Sequence, residues 1–221
     1  AWTHVACTFD PGRTATVYLN GKKALEVSLA GFAGLDLVND PLPNNTDIVE
    51  CYVGSGHLGA RVREALFSIL MNEVPGARFL DLFAGSGAVG LDALSRGAVS
   101  ATFVECDRRH LECLRANAAS LSGAAAKCEI VQADAYQWID SAGAGRLYDV
   151  AFADPPYALG AERGSADVLE ALARGDVVRP GGLFVVESAV SQKAGEHALW
   201  DLCRDREYGK TRLAVYKRKA S

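Results

Sequence analysis

Two short stretches carry side chains whose type and spacing could do chemistry. The first is Asp154-Pro155-Pro156-Tyr157, directly after the apolar run Asp149–Ala153, which reads as a strand. An exocyclic amine on an aromatic base is a poor nucleophile, because its lone pair is delocalised into the ring. A carboxylate at Asp154 and a proline carbonyl could accept its two N–H bonds, localise that lone pair and aim it at a methyl group. Two prolines fix the carbonyl geometry, and Pro155 has no N–H to compete. Tyr157 offers a flat face on which an extruded base can stack.

The second stretch is Asp81-Leu82-Phe83-Ala84-Gly85-Ser86-Gly87-Ala88-Val89-Gly90, placed where a strand gives way to a helix. It contains G-x-G-x-x-G, a weak dinucleotide signal by itself. Asp81 stands four residues before the first glycine. Its carboxylate would repel a pyrophosphate and attract an α-ammonium, which S-adenosylmethionine carries without any phosphate. The glycines then serve close backbone approach rather than phosphate binding. Two further acids end the next strand-like runs. Glu105, in Phe103-Val104-Glu105-Cys106-Asp107, is placed to accept ribose hydroxyls, and Asp134-Ala135 to meet an adenine amine and ring nitrogen. Ligands of open α/β sheets bind at the carboxyl ends of the strands.

The elements that must position these residues follow from the apolar spacing. Val62, Ala65, Leu66, Ile69 and Leu70 form one helical face. Strands are expected at Arg78–Phe83, Ala101–Glu105, Cys128–Val131, Asp149–Ala153, Leu183–Glu187 and Thr211–Lys217. Helices are expected at Ala88–Ser95, Arg108–Leu121 and Ala166–Arg174. Such alternation implies an α/β fold with a parallel sheet covered on both faces. Residues 1–56 differ in character. Thr3, Val5, Cys7 and Phe9 alternate, Asp10-Pro11-Gly12 is a turn, and Thr14–Leu19 and Lys23–Val27 flank an Asn20-Gly21 hairpin signal. A polar loop runs from Gly31 to Asp47, before a last short strand at Ile48–Gly54.

Residues 61–221 resemble the bacterial small-subunit ribosomal RNA guanine-N2 methyltransferases (the RsmD type). The resemblance rests on RVREALF at 61–67, DLFAGSGAVGLDALSRGA at 81–98, FVECD at 103–107, DPPY at 154–157 and YGKT at 208–211. It implies a Rossmann-like, seven-stranded fold that uses S-adenosylmethionine. Asp81, Phe83, Gly85, Ser86 and Gly87 would hold the methionine end, Glu105 and Asp107 the ribose, and Asp134 and Ala135 the adenine. Asp154, Pro155, Pro156 and Tyr157 would grip the guanine, with Asp154 the first acceptor of the departing proton. The implied substrate is 16S ribosomal RNA or the small subunit. Arg61, Arg63, Tyr208, Lys210 and Arg212 would contact the RNA, the protein acting as a cytoplasmic monomer that needs no metal. An adenine N6 amine is the runner-up target, since the same motif serves both amines.

Composition agrees with this reading. The chain has 221 residues, 49% hydrophobic and 23% charged, which excludes wholesale disorder. No apolar run approaches the roughly 18 residues of a membrane span, and no basic-then-apolar leader opens the chain. The net charge of −4 divides into −3 over residues 1–60, −6 over 61–203 and +5 over 204–221, where seven Lys and Arg could form a phosphate-binding rim. Six cysteines without a C-x-x-C pair read as reduced, partly buried thiols, Cys7 with Cys51 being the one exception to consider.

The front of the chain departs from the family, whose own short hairpin and Arg-Pro-Thr stretch are replaced by Gly56-His57-Leu58-Gly59-Ala60. Residues 1–56 instead resemble part of a laminin-G or concanavalin-like sandwich, in Trp2-Thr-His-Val-Ala, Val17-Tyr-Leu-Asn-Gly-Lys and Tyr52-Val-Gly-Ser-Gly. A division at 1–58 and 59–221 is expected, as a chimera joined near Gly59. The hairpin could instead substitute for the family's own. A second class of function is a binding protein with a glycan- or protein-binding β segment and a passive catalytic domain. With Met71 as the single methionine and Ala1 in front, the natural beginning is expected to be missing.

Overall fold

The structure, a computed structural model, describes residues 5–10, 14–19, 22–28, 60–120, 127–155 and 165–220. The chain divides into two compact units, Ala1–Gly54 and Ser55–Ser221. In the first, β1 (Val5–Asp10), β2 (Thr14–Leu19) and β3 (Lys22–Ser28) form an antiparallel sheet in chain order. Leu19 pairs with Lys22, the register that a two-residue hairpin requires. The strand expected at Ile48–Gly54 lies outside the described residues.

The second unit runs α1 (Ala60–Ile69), β4 (Arg78–Leu82), α2 (Ala88–Ser95), β5 (Ser100–Glu105), α3 (Arg108–Ser120) and β6 (Cys128–Gln132). It continues with α4 (Ala135–Ile139), β7 (Tyr148–Ala153), α5 (Ser165–Arg174), β8 (Val178–Ala189), β9 (Trp200–Tyr208) and β10 (Thr211–Arg218). Its seven strands lie in the order β6-β5-β4-β7-β8-β10-β9. The first five are parallel, and β10 and β9 complete the sheet as an antiparallel hairpin. Alternate strand residues feed two cores, as burial on both faces requires. Phe79, Phe103, Phe152, Val185 and Leu213 pack with Leu66 and Phe67 of α1 and with Leu70 just after it, while Leu80, Leu82, Ala151, Phe184 and Tyr216 pack with Trp138, Leu169 and Leu172.

Two elements differ from the sequence reading. Strand β9 was not expected, because only Trp200 at its start is buried, and charged residues stand on both of its faces. An edge strand written that way has no apolar alternation to read. The short helix α4 was also not expected; its sequence signal is Asp134, whose side chain accepts a hydrogen bond from the Gln137 backbone N–H at 2.9 Å. Among the described residues no helix is long and apolar enough to cross a membrane.

Candidate functional site

The strand order reverses between β4 and β7: the chain lays β5 and β6 on one side of β4, then returns to place β7 and β8 on the other. Loops leaving the carboxyl ends at such a point diverge and open a crevice. Both chemical motifs meet there. Asp81 is in β4, the glycine loop follows it, and Asp154 directly follows Ala153, the last residue of β7.

The glycine loop is bound tightly to its surroundings. Phe83, Gly85 and Gly87 have φ of 57, 56 and 79°, a region costly for phenylalanine and easy for glycine. The Phe83 ring meets Tyr136 edge-on, with centroids 5.6 Å apart. Glu105 accepts the Gly85 N–H at 2.7 Å with one oxygen and the Asp107 N–H at 2.8 Å with the other. Asn117 of α3 donates to the Ser86 carbonyl at 3.0 Å. Asp81 accepts the Gly90 N–H at 2.8 Å, which ties β4 to the first turn of α2. A Cβ at Gly90 would lie 2.3 Å from Phe103 Cε1, and one at Gly87 2.1 Å from Leu114 Cδ1. At these two positions, therefore, the neighbour that excludes a side chain is the protein's own core. The sequence reading had reserved that closeness for a ligand.

The acids divide by environment. Asp81 is 2% exposed, and burial pushes its carboxyl up to about 8, with the charges of Asp154 and Glu105 adding to the effect and the Gly90 amide opposing it. Burial also acts to raise Glu105. The His110 side chain, 3.6 Å away, and the amides of Asp107 and Gly85 outweigh that and hold it below the ordinary range. Hydrogen bonds from the Arg109 side chain and backbone hold Asp107 at about 2, and Asp107 opens α3 by accepting the Arg109 N–H at 2.7 Å. Asp134 is exposed at the start of α4, and the adjacent Ala135 is buried.

One acid was missed. Glu187, near the end of β8, is 1% exposed; one oxygen accepts from the Thr211 hydroxyl at 3.3 Å. It could have been found by the rule that picked out the others, an acid at the carboxyl end of the next strand. By strand alternation Glu105, Asp81, Asp154 and Glu187 all fall on the α1 side of the sheet, along β5, β4, β7 and β8 in turn. His110, Asn117 and Tyr136 were also missed. Among the described residues no group of three or more potential ligands is arranged to hold a metal.

The expected RNA-contacting residues fare unequally. Arg63 lies 3.7 Å from Asp92, and Arg212 is held by Asp205 at 2.5 Å and Glu207 at 2.6 Å with its side chain only 13% exposed. Arg212 thus closes a local ion-pair cluster instead of adding free charge. Lys210 is exposed in the β9–β10 turn and Tyr208 is half-buried. Arg204 pairs with Val215, Arg206 with Leu213 and Tyr208 with Thr211, so these three fall on the α1 side of the sheet. The acids Asp205 and Glu207 fall on the other side, with Arg212. The side chain of Arg61 and both Pro156 and Tyr157 lie outside the described residues. Cys113 and Cys128 are half-buried free thiols as expected, whereas Cys106 and Cys203 are exposed.

Residues 58–217 match the family model described as conserved hypothetical protein 95. The chain belongs to this family. Its relatives include ribosomal RNA small subunit methyltransferase D of Escherichia coli, 35% identical over 161 residues, covering 72% of this chain and 78% of that one. The protein of the same name in Haemophilus influenzae is 28% identical, covering 72% and 81%. Among solved structures, an Escherichia coli chain described as a methyltransferase superposes with a TM-score of 0.66 at 33% identity, covering 75% of this chain and 88% of that one. An RNA methyltransferase of Salinibacter ruber in complex with S-adenosyl-L-homocysteine has a TM-score of 0.55 at 15% identity, covering 74% and 94%, a likeness of fold alone. The family and the fold make this chain a methyltransferase.

Proposed function

We propose that this methyltransferase takes its methyl group from S-adenosylmethionine and delivers it to the N2 amine of a guanine in small-subunit ribosomal RNA. The observation that carries the reading is the meeting of the Asp81 loop and Asp154 at the reversal of strand order, in a chain of this family. The residues present fit the cofactor. Asp81 is an acid pushed far up by burial, and an α-ammonium beside it would supply the opposite charge that favours its ionised form. Glu105 stays ionised for ribose hydroxyls, with Asp107 beside it. Phe83, Gly85, Ser86 and Gly87 would bound the methionine end, and Asp134 and Ala135 the adenine.

The cofactor supplies a methyl group on a sulfonium, which becomes a neutral thioether as the N–CH3 bond forms. Asp154 and the Pro155 carbonyl would hold the amine by its N–H bonds, with Pro156 and Tyr157 completing the grip on the base. The amine nitrogen then carries one proton too many, and the Asp154 carboxylate takes it. Orientation supplies most of the acceleration. Arg204, Arg206, Tyr208 and Lys210, with Arg61, would contact phosphates, the chain working as a monomer in the bacterial cytoplasm.

Incubation with hypomethylated small subunits and isotopically labelled cofactor, followed by mass mapping of the RNA, tests this. One new N2-methylguanine is expected. Methyl on an adenine N6 would transfer the assignment to the runner-up, and no methylation by a cofactor-bound protein would overturn both.

A further inference from the structure

The mechanism above leaves Glu187 unused, although it is one of the most deeply buried charged side chains of the catalytic unit. Ala153 of β7 is in register with Val186 of β8, so the residues that follow, Asp154 and Glu187, stand side by side on neighbouring parallel strands. Both fall on the α1 side of the sheet. Glu187 Oε1 accepts from Thr211 Oγ1 at 3.3 Å, and Oε2 is buried with no hydrogen-bond partner among the described residues. A buried carboxylate oxygen without a donor is costly, and a second carboxylate beside it is costlier still. A proton between them removes both penalties.

We propose that Glu187 and Asp154 form a carboxyl pair sharing one proton, in which the O–H of the pair fixes the orientation of the Asp154 carboxylate against Glu187. Glu187 is thus a positioning residue that acts through Asp154, in a site carrying a single negative charge near neutrality. The inference rests on the role proposed above for Asp154. Thr211 gains a purpose as well: it ends the Tyr-Gly-Lys-Thr stretch that carries the family resemblance, and its hydroxyl serves the buried acid. Among the described residues, Asp81 faces the pair from β4 with Glu105 beyond it on β5, Arg204, Arg206 and Tyr208 lie on the same side of the sheet on β9, Arg63 of α1 is engaged by Asp92, and Arg212 points to the opposite face. Burial, reinforced by the charge of Asp154 and opposed by the Thr211 hydroxyl, pushes Glu187 up to about 8, which agrees with a retained proton.

Infrared titration of the full chain, without RNA or cofactor, reads the proton directly. At pH 7 nearly all carboxyls are ionised, so a band of neutral carboxylic acid is conspicuous. Glu187→Gln is expected to remove part of that band. Asp154→Asn is expected to move the ionisation of Glu187 down by about one pH unit or more, because the like charge has gone. Thr211→Val is expected to move it up, by loss of the hydroxyl that favours the ionised form. In RNA methylation Glu187→Gln should lower the maximal rate about tenfold, less than loss of an acid–base residue outright. Loss of the shared proton should give the unaltered enzyme's rate an inflection on the alkaline side, which Glu187→Gln should abolish while leaving the affinity for S-adenosylmethionine unchanged. An unaltered neutral-acid band in a folded Glu187→Gln protein overturns the pair, and so does a Glu187 titration indifferent to Asp154→Asn. Because the titration needs no substrate, a pair found in a protein that methylates no RNA would count against the proposed function alone.

Discussion

At the carboxyl edge of β5, β4, β7 and β8, four acids fall on one face of the sheet, and Asp81 and Glu187 are pushed up to about 8 by burial. On and beside the β9–β10 hairpin, charges are arranged in the opposite manner. Arg212 is clasped by Asp205 and Glu207, Lys219 lies 3.5 Å from Asp201, and Arg218 reaches Asp176 at 2.5 Å. Arg212 and Arg218 are largely covered but each is met by an acid at contact distance, and an exposed pair such as Lys219–Asp201 contributes little and costs little. Buried acids of the first kind oppose folding, and a fold keeps them where a ligand or a reaction supplies the missing cation or proton. The contrast is therefore between charge neutralised by its neighbours and charge buried, at Asp81 and Glu187, without a cation among the described residues to meet it.

Asp154→Ala breaks the contrast most severely. Methyl transfer is expected to fall by about 10²–10⁴-fold, with cofactor affinity retained, because the amine loses its acceptor. Equal loss of cofactor binding would show that the residue is merely structural. Next comes Gly90→Ala. Its Cβ would press on Phe103 at 2.3 Å and approach Asp81 at 3.1 Å, so destabilisation of about 1–3 kcal/mol and weakened cofactor binding are expected in denaturant titrations and calorimetry.

A pH series sharpens the comparison. Asp81 and Glu187 have folded values raised above their unfolded ones, so the folded state retains protons that the unfolded chain has released. Their contribution is fully present below about pH 4 and is lost as the pH rises to about 8, at roughly 1.4 kcal/mol per pH unit for each group while both states differ. Urea midpoints of the apoprotein should decline over that window, and Asp81→Asn should make the decline shallower. The smallest effect belongs to the hairpin. Arg212→Ala leaves Asp205 and Glu207 facing each other and should cost about 1 kcal/mol. Arg204→Ala with Arg206→Ala should leave stability unchanged and flatten the salt dependence of RNA binding by about two phosphate contacts.

The parallel core was legible because its strands are apolar runs and its longer helices 3.6-residue patterns, the short α4 apart. The reversal of strand order is a tertiary fact, and it is where the strand-end acids Asp81 and Asp154 lie. Strand β9 was not legible, since an edge with charge on both faces carries no period. Nor could the sequence separate Arg212 from Arg204 and Arg206. All three count equally in a local charge of +5, and only the register assigns them to opposite faces of the hairpin. The glycine loop was located correctly, but the reason for Gly87 and Gly90 lies in Leu114 and Phe103, distant in sequence. Glu187 shows the same limit: its neighbour Asp154 is supplied by strand pairing, and its bond to Thr211 by the last hairpin.

The most direct test of the central claim is calorimetric titration of S-adenosylmethionine at pH 7 in two buffers of different ionisation enthalpy, for the unaltered chain, Asp81→Asn and Asp154→Ala. If the buried acid edge is the cofactor and amine site, the unaltered protein binds and releases about one proton, as Asp81 ionises to meet the ammonium. Asp81→Asn then loses most affinity and the proton release, and Asp154→Ala keeps both. Binding that is indifferent to Asp81 and releases no proton would contradict the account.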